Sequence, residues 1–280
     1  MDLDTPVENT WCPGCGDFAI LSSAKQAFQE LVDSDYVEPG EIVISSGIGC
    51  HAKIVDYIKV NSFYSIHGRV PPTITGVKIA NPNLEAIGFA GDGDAYDEGV
   101  SHLIHAARRN IDVTMIVHDN RVFALTTGQF TPTSPEGFKG KSTPKGSIET
   151  PLNPLHLMLA NKASFVARSF SGDINHLKET LIEAIQHPGF AIVDVLQPCV
   201  SFYNTWDYYK DRVYKLSEND HDTSNFQAAW EKAEETNEKI PIGVFYKEER
   251  ATFDEKLLKG KVPVEEEGTP DLEPVIKDFI

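Results

Sequence analysis

The chain has 280 residues, 41% of them hydrophobic and 24% charged, with a formal net charge of −17. That composition supports a real hydrophobic core, in one large α/β domain or two modest ones, while the excess of acid excludes nucleic acid and anionic membrane surfaces as partners. No run approaches the ~20 apolar residues that span a bilayer, and the acidic start Met1-Asp2-Leu3-Asp4-Thr5-Pro6 lacks the pattern of a secretory signal, so the expected location is cytoplasmic.

The first feature along the chain is a turn-forming thiol pair, Cys12-Pro13-Gly14-Cys15. A helix is expected from Asp17, read as its N-cap, with Leu21, Ala24, Phe28 and Leu31 on one face. A strand at 42–45 leads into Ser46-Gly47-Ile48-Gly49-Cys50, and a strand at 86–90 leads into Gly91-Asp92-Gly93-Asp94. The next helix spans 97–109, with Val100, Leu103, Ile104 and Ala107 inward. Its Arg108-Arg109 suits a helix C-terminus, and His102 and His105 read as surface or capping groups. A strand at 113–117 ends in His118-Asp119-Asn120, where His118 is a candidate to reach the substrate.

Residues 126–152 are rich in Thr, Ser, Pro, Gly and Lys and show no periodicity, which marks a functional loop. A strand at 164–168, a helix at 173–186 stopped by His187-Pro188-Gly189, and a strand at 191–196 follow. Apolar strands alternating with helices specify an α/β fold, a parallel sheet covered by helices on both faces. From about residue 201 the composition shifts to aromatics, then to a polar, helix-prone segment and an acidic tail with Glu265-Glu266-Glu267. The expected organisation is a domain over 1–205 and a C-terminal extension, 206–280, that packs on the domain or on a partner subunit, its last residues disordered.

Two constellations carry chemistry. A glycine-rich strand-to-helix turn lets backbone N–H groups approach a phosphate. Asp92 in that turn would repel the phosphate unless a cation lay between them, so the pattern calls for Mg²⁺ bridging Asp92 to a diphosphate. Asn120 at the neighbouring strand end and the Val122 carbonyl are the further oxygen ligands; the alternative is a plain tight turn with a capping Asp. The second constellation is Cys12, Cys15, Cys50 and Cys199, all at loop positions. In a reducing compartment four thiols suggest a [4Fe–4S] cluster or Zn²⁺, or a metal-free Cys-x-x-Cys that leaves Cys50 and Cys199 unexplained.

These residues, with Trp11, Gly16, His67-Gly68-Arg69, Asp119-Asn120-Arg121-Val122, Thr126-Thr127-Gly128-Gln129, Thr131-Pro132-Thr133 and Gln197-Pro198-Cys199, resemble the β subunit of 2-oxoacid:ferredoxin oxidoreductases, in order over residues 10–205. The likeness is greatest to the 2-oxoglutarate type. The resemblance implies a thiamine-diphosphate-binding fold and a [4Fe–4S] cluster on Cys12, Cys15, Cys50 and Cys199. It implies Mg²⁺ on Asp92, Asn120 and the Val122 carbonyl, and a diphosphate cradle at Gly91, Gly93 and Asp94. Ile48, Gly49, Cys50, His51 and His67 match cofactor-contacting positions, and Ala124 and Leu125 match the segment beneath the bent thiamine. Lys53 matches a position in the substrate pocket, where it can pair with the distal carboxylate of a dicarboxylic 2-oxoacid, with Arg69 as the rival.

The implied reaction is oxidative decarboxylation of a 2-oxoacid, with transfer to coenzyme A and electrons to ferredoxin, or its reverse. The implied partner is an α subunit, or α plus γ. The chain departs from the family in having Phe123-Ala124 where Tyr-Gly is frequent, and His51 where Ser is frequent. A thiamine-dependent decarboxylase without redox chemistry, or a zinc-stabilised scaffold, are the competing readings.

Overall fold

The run Ala191–Leu196 is apolar almost throughout, as a strand covered on both faces should be, and in the computed structural model, which describes residues 1–266 and Lys277, all six residues are buried in the middle of a sheet. Eight strands form that sheet among the described residues: β1 Ile42–Ser46, β2 Asn61–Tyr64, β3 Glu85–Gly91, β4 Thr114–Asp119, β5 Phe165–Phe170, β6 Ala191–Leu196, β7 Val213–Lys215 and β8 Ile240–Lys247. Their order is β2-β1-β3-β4-β6-β5-β8-β7. All neighbours run parallel except β5 and β8, which are antiparallel. The sheet is thus mostly, not wholly, parallel. No single helical crossover joins β5 to β8, so the connection that enforces parallel direction does not act on them.

Helices Asp17–Asp33 and Ile174–Ile185 pack on one face around Phe28, Leu31, Leu177 and Leu181. Helices Val70–Ala80, Val100–Arg109, Pro154–Ala160 and Phe226–Ala233 cover the other around Ile74, Leu103, Met158 and Phe245. Each such fully buried side chain contributes roughly 1.5–3 kcal/mol.

Several local expectations need correction. The N-cap of the first helix is Gly16, not Asp17; Asp17 is the first helical residue and is buried. The helix expected from 97 starts at Val100, because Asp94–Glu98 form a π-helical turn, a wider winding frequent at functional sites. Helix Val70–Ala80 was not among the expected elements; Pro71-Pro72 sit in its first turn, where no N–H partner is required. Strand β2 is an exposed edge without alternation, and β8 carries Pro241 and Gly243, which argue against a strand in sequence. Of the acidic run, Glu265 and Glu266 are described. Glu267 and the residues beyond it, Lys277 excepted, lie outside the described residues.

Candidate functional site

The chain passes from β1 outward to β2 on one side, then from β3 to β4 on the other. The C-terminal ends of β1 and β3 therefore flank the point where the winding direction switches, and α/β sheets bind ligands there. The β1 end delivers Ile48, Gly49, Cys50 and His51; the β3 end delivers Gly91, Asp92, Gly93 and Asp94; the β4 end delivers Asn120, Val122, Phe123, Ala124 and Leu125. All of these line one cleft, and His67 joins them.

Asp92 is almost wholly buried, and its Oδ2 accepts a 2.6 Å hydrogen bond from Thr133 Oγ1. The same hydroxyl lies 2.9 Å from Asp119 Oδ1. One hydroxyl proton cannot serve both carboxylates. Although the Arg121 N–H also donates to Asp119 Oδ1 at 3.2 Å, neither carboxylate has an ion pair among the described residues, so the site is short of positive charge. Burial, then the Asp119 carboxylate, push the Asp92 carboxyl well above the ordinary range. Asn120 Oδ1 accepts the Val122 N–H at 3.0 Å, and Arg121 between them has φ of 61°. This tight turn aligns the side chain of Asn120 and the main chain of Val122 beside Asp92.

Asp94 ties together the loops that follow β1 and β2. Its Oδ1 accepts the Gly68 N–H at 2.8 Å and lies 3.0 Å from His67 Nδ1, while Oδ2 lies 3.5 Å from His51 Nε2. Burial works against the charge, but the approach of His51 and the donors from Gly68 and His67 hold the carboxyl below its ordinary range. His51 Nε2 and Asp94 Oδ2 are buried and lack a well-formed hydrogen bond, polar capacity that a bound anion and its cation would engage. Two glycines are required by close approach: a Cβ on Gly47 would fall 1.8 Å from Asp94 Oδ2, and one on Gly93 would fall 2.2 Å from the Phe123 ring.

Beside the cleft is a second cavity of about 210 Å³ lined by Cys12, Cys15, Cys50 and Cys199. Asn120, Ala124, Leu125 and Cys50 line both spaces, so the two share a wall. Trp11 Nε1 donates to the Cys50 carbonyl at 2.7 Å, Gln197 Nε2 to Cys15 Sγ at 3.4 Å and Ser201 Oγ to Cys12 Sγ at 3.1 Å. The Cys15 thiol donates to Asp17 Oδ2 at 3.4 Å. Burial, then the Asp17 carboxylate, raise the Cys15 thiol strongly, and the same two causes push Cys50 up to about 11. Among the described residues no three His, Cys, Asp or Glu side chains converge on a point one metal ion would fill. The thiols ring a void instead.

Lys53 lines this cavity, its Nζ donating to Thr10 Oγ1 at 2.8 Å, and it has no ion pair among the described residues. Arg69 is exposed and lines neither space; its guanidinium reaches only backbone carbonyls, those of His67, Gly68 and Glu98, at 3.4–3.5 Å. His118 does not reach a substrate space: it is fully buried, its Nδ1 2.7 Å from Asp17 Oδ1, and burial holds its pKa below the ordinary value. Asp17, His118, Asp119 and Thr133 support the site in ways the sequence does not reveal: there Asp17 reads as a cap, His118 as a substrate contact, and Asp119 and Thr133 only as parts of family motifs. The signal for Thr133 was its place in a long loop without periodicity; for Asp17 and His118 there was none, since their pairing spans 101 positions.

A glycine-rich turn with a buried carboxylate at the switch point of a doubly covered sheet marks a domain that binds a cation-bridged phosphate group, and its match to a family model identifies it as that of thiamine-diphosphate enzymes. Residues 47–195 match the family model for the C-terminal thiamine-pyrophosphate-binding domain of such enzymes, and residues 199–261 match that for the C-terminal part of the pyruvate ferredoxin oxidoreductase beta subunit. The chain is 42% identical to 2-oxoacid:ferredoxin oxidoreductase 1, subunit beta, of Aeropyrum pernix, over 98% of this chain and 89% of that protein. It is 35% identical to the 2-oxoglutarate synthase subunit KorB of Archaeoglobus fulgidus, over 89% and 88%. A solved structure of 2-oxoglutarate:ferredoxin oxidoreductase from Magnetococcus marinus, with 2-oxoglutarate, coenzyme A and succinyl-CoA bound, superposes with a TM-score of 0.90 at 35% identity, over 99% of this chain and 94% of that one. The chain belongs to the β subunits of the 2-oxoacid:ferredoxin oxidoreductases.

Proposed function

We propose that this subunit binds thiamine diphosphate through Mg²⁺ in the cleft and a [4Fe–4S] cluster in the neighbouring cavity. With an α subunit, or α plus γ, it would then convert 2-oxoglutarate and coenzyme A to succinyl-CoA and CO₂ while reducing ferredoxin. Run in reverse, the same reaction fixes CO₂. The observation that carries the reading is the shared wall: every cysteine of the chain lines one cavity, and Cys50, Asn120, Ala124 and Leu125 separate it from the Asp92 cleft.

Asp92, the Asn120 side chain and the Val122 carbonyl are the oxygen donors for Mg²⁺, and the charge shortage at Asp92 and Asp119 is what a cation relieves. The backbone of Gly91, Gly93 and Asp94 cradles the diphosphate at the start of the helical region. Ile48, Gly49, His51 and His67 form the remaining contacts, the two histidines oriented by Asp94. Ala124 and Leu125 give the cofactor an apolar support. Held by these residues, thiamine diphosphate would supply an electron sink for decarboxylation, and a cluster on Cys12, Cys15, Cys50 and Cys199 would supply one-electron transfer.

Zinc fits the thiols less well than a cluster, since four-coordinate zinc needs sulfurs at ~2.3 Å from one centre. Lys53 is the cation for the distal carboxylate, because it lines the cavity that adjoins the cofactor cleft and has no acidic partner among the described residues, while Arg69 lines neither space. Ile48 is 38% exposed and Leu125 51%, so the apolar side of the cleft is open. The α subunit closes it and keeps water out. We assign residues 1–205 to the cofactor-bearing unit and those from 206, of which β7 and β8 join the same sheet, to an extension that packs on that unit or on a partner.

The complex, purified without oxygen, should reduce a viologen dye with a 2-oxoacid only when coenzyme A is present, and faster with 2-oxoglutarate than with pyruvate. Decarboxylation of 2-oxoglutarate with no acceptor reduced would leave a non-redox thiamine enzyme instead. Among the described residues none favours the pyruvate-preferring alternative over Lys53.

A further inference from the structure

We propose that the loop over residues 137–147 is the docking surface for an acidic iron–sulfur protein, the electron acceptor of the reaction; this rests on the redox reading above. The loop is closed on itself. The Gly137 N–H donates to the Ser147 carbonyl at 2.7 Å and the Ser147 N–H to the Phe138 carbonyl at 2.9 Å, so its ends meet. Thr143 braces the interior, its hydroxyl donating to the Phe138 carbonyl at 3.1 Å.

From this frame project Lys139, Lys141 and Lys145, all exposed and none in an ion pair among the described residues. The loop holds no acidic residue, in a chain of formal net charge −17. Three cations on one short frame outnumber the two exposed carboxylates at its ends, Glu136 and Glu149, and make it a local exception to that charge. Ile148, at its foot, is 91% exposed, an apolar side chain in the place an interface would use it.

The loop is anchored on the cysteine cavity. Phe138 packs in one buried group with Cys199 and Val122, and its ring meets Tyr203 edge-on at 5.5 Å. Tyr203 in turn exchanges backbone hydrogen bonds with Cys199 at 3.0 and 3.3 Å. Gly140 abuts the Gly128 carbonyl, and Gly128 abuts the ring of Phe202, which lines the cavity and is half exposed. A basic platform beside the metal site steers an acidic redox partner to the place where electrons leave, and such steering acts on association more than on chemistry.

The test uses the whole enzyme complex and the triple variant K139E/K141E/K145E. Viologen, a small acceptor, measures catalysis without docking. The expected result is viologen reduction unchanged within about twofold and KM for an acidic ferredoxin raised at least ~10-fold at low salt, the difference shrinking as salt screens the charges. The triple Lys→Arg variant should retain the wild-type KM. An unchanged ferredoxin KM would overturn the proposal. So would a raised coenzyme A KM in its place, which would assign the lysines to that ligand's phosphates, or failure of the variant to associate with its α subunit. If the wild-type complex fails to reduce viologen at all, it is the redox reading that falls.

Discussion

Replacing Thr133 with Val removes one buried hydroxyl at nearly constant volume, and its effect can be worked from the site. That hydroxyl donates at 2.6 Å to Asp92 and stands 2.9 Å from Asp119, with all three residues buried. A buried charged acceptor that loses its donor costs about 2–3 kcal/mol. For a domain of this size 1 kcal/mol moves Tm by roughly 2–4 °C, so a fall of about 4–12 °C is expected in the cofactor-free complex. The hydroxyl also lowers the pH at which Asp92 ionises, against burial and the neighbouring Asp119. Without it more protons must leave before Mg²⁺ binds. Affinity for Mg²⁺-thiamine diphosphate should then drop by the ~10–100-fold typical of groups that orient metal ligands. Because the displaced proton is the cause, the loss should shrink as pH rises. Calorimetric titration at two pH values, with thermal melts, reads both effects. A T133V complex with wild-type affinity and Tm would refute the role given to the Asp92–Thr133–Asp119 cluster.

Lys53→Ile should lower kcat/KM for 2-oxoglutarate by at least ~100-fold, the scale of a lost charge-assisted pair in a dry site, and change pyruvate turnover by less than about threefold. Steady-state assays on both substrates decide this, and equal losses would remove Lys53 from substrate recognition. Gly47→Ala places a methyl 1.8 Å from Asp94 Oδ2 and should displace Asp94 from His51 and the Gly68 N–H. Thiamine diphosphate affinity should fall at least ~10-fold, since the loss of a buried charged hydrogen bond alone is worth ~1.5–3 kcal/mol; unchanged affinity in calorimetry would contradict this. The buried thiols give a pH signature in iron-stripped protein. Cys50 is raised from 9.0 to about 11 by burial and Asp17, so it holds its proton at neutral pH and its alkylation rate should keep climbing through pH 9 toward 11. Site-resolved mass spectrometry that finds a plateau near pH 9 would count against the buried cavity wall.

The cleft was legible because its signals are local. A glycine-rich turn after an apolar strand, and a second strand end carrying Asn120, announce phosphate and cation chemistry without knowledge of the fold. The gathering of Cys12, Cys15, Cys50 and Cys199 was legible only as a shared loop character plus a family likeness; no spacing rule brings Cys199 beside Cys12. Sequence misled where one local rule met another. Helix Val70–Ala80 was not among the expected elements; its two prolines sit in a first turn that has no need of their N–H groups. The π-helical turn Asp94–Glu98 displaced the following helix start by three residues from the expected 97, because Tyr96 is drawn inward to donate to the buried Asp194 at 3.0 Å. Asp17 looked like a cap and is a buried partner of His118, a contact that only the packed helix and sheet create.

The cysteine cavity and its common wall with the thiamine cleft are what separate a redox enzyme from a simple decarboxylase. Iron and acid-labile sulfide, counted per chain in complex purified without oxygen, test this most directly. About four of each is the expected result for a [4Fe–4S] cluster, falling toward zero in a Cys199→Ser variant that still binds thiamine diphosphate. A single zinc per chain with no sulfide would contradict the account.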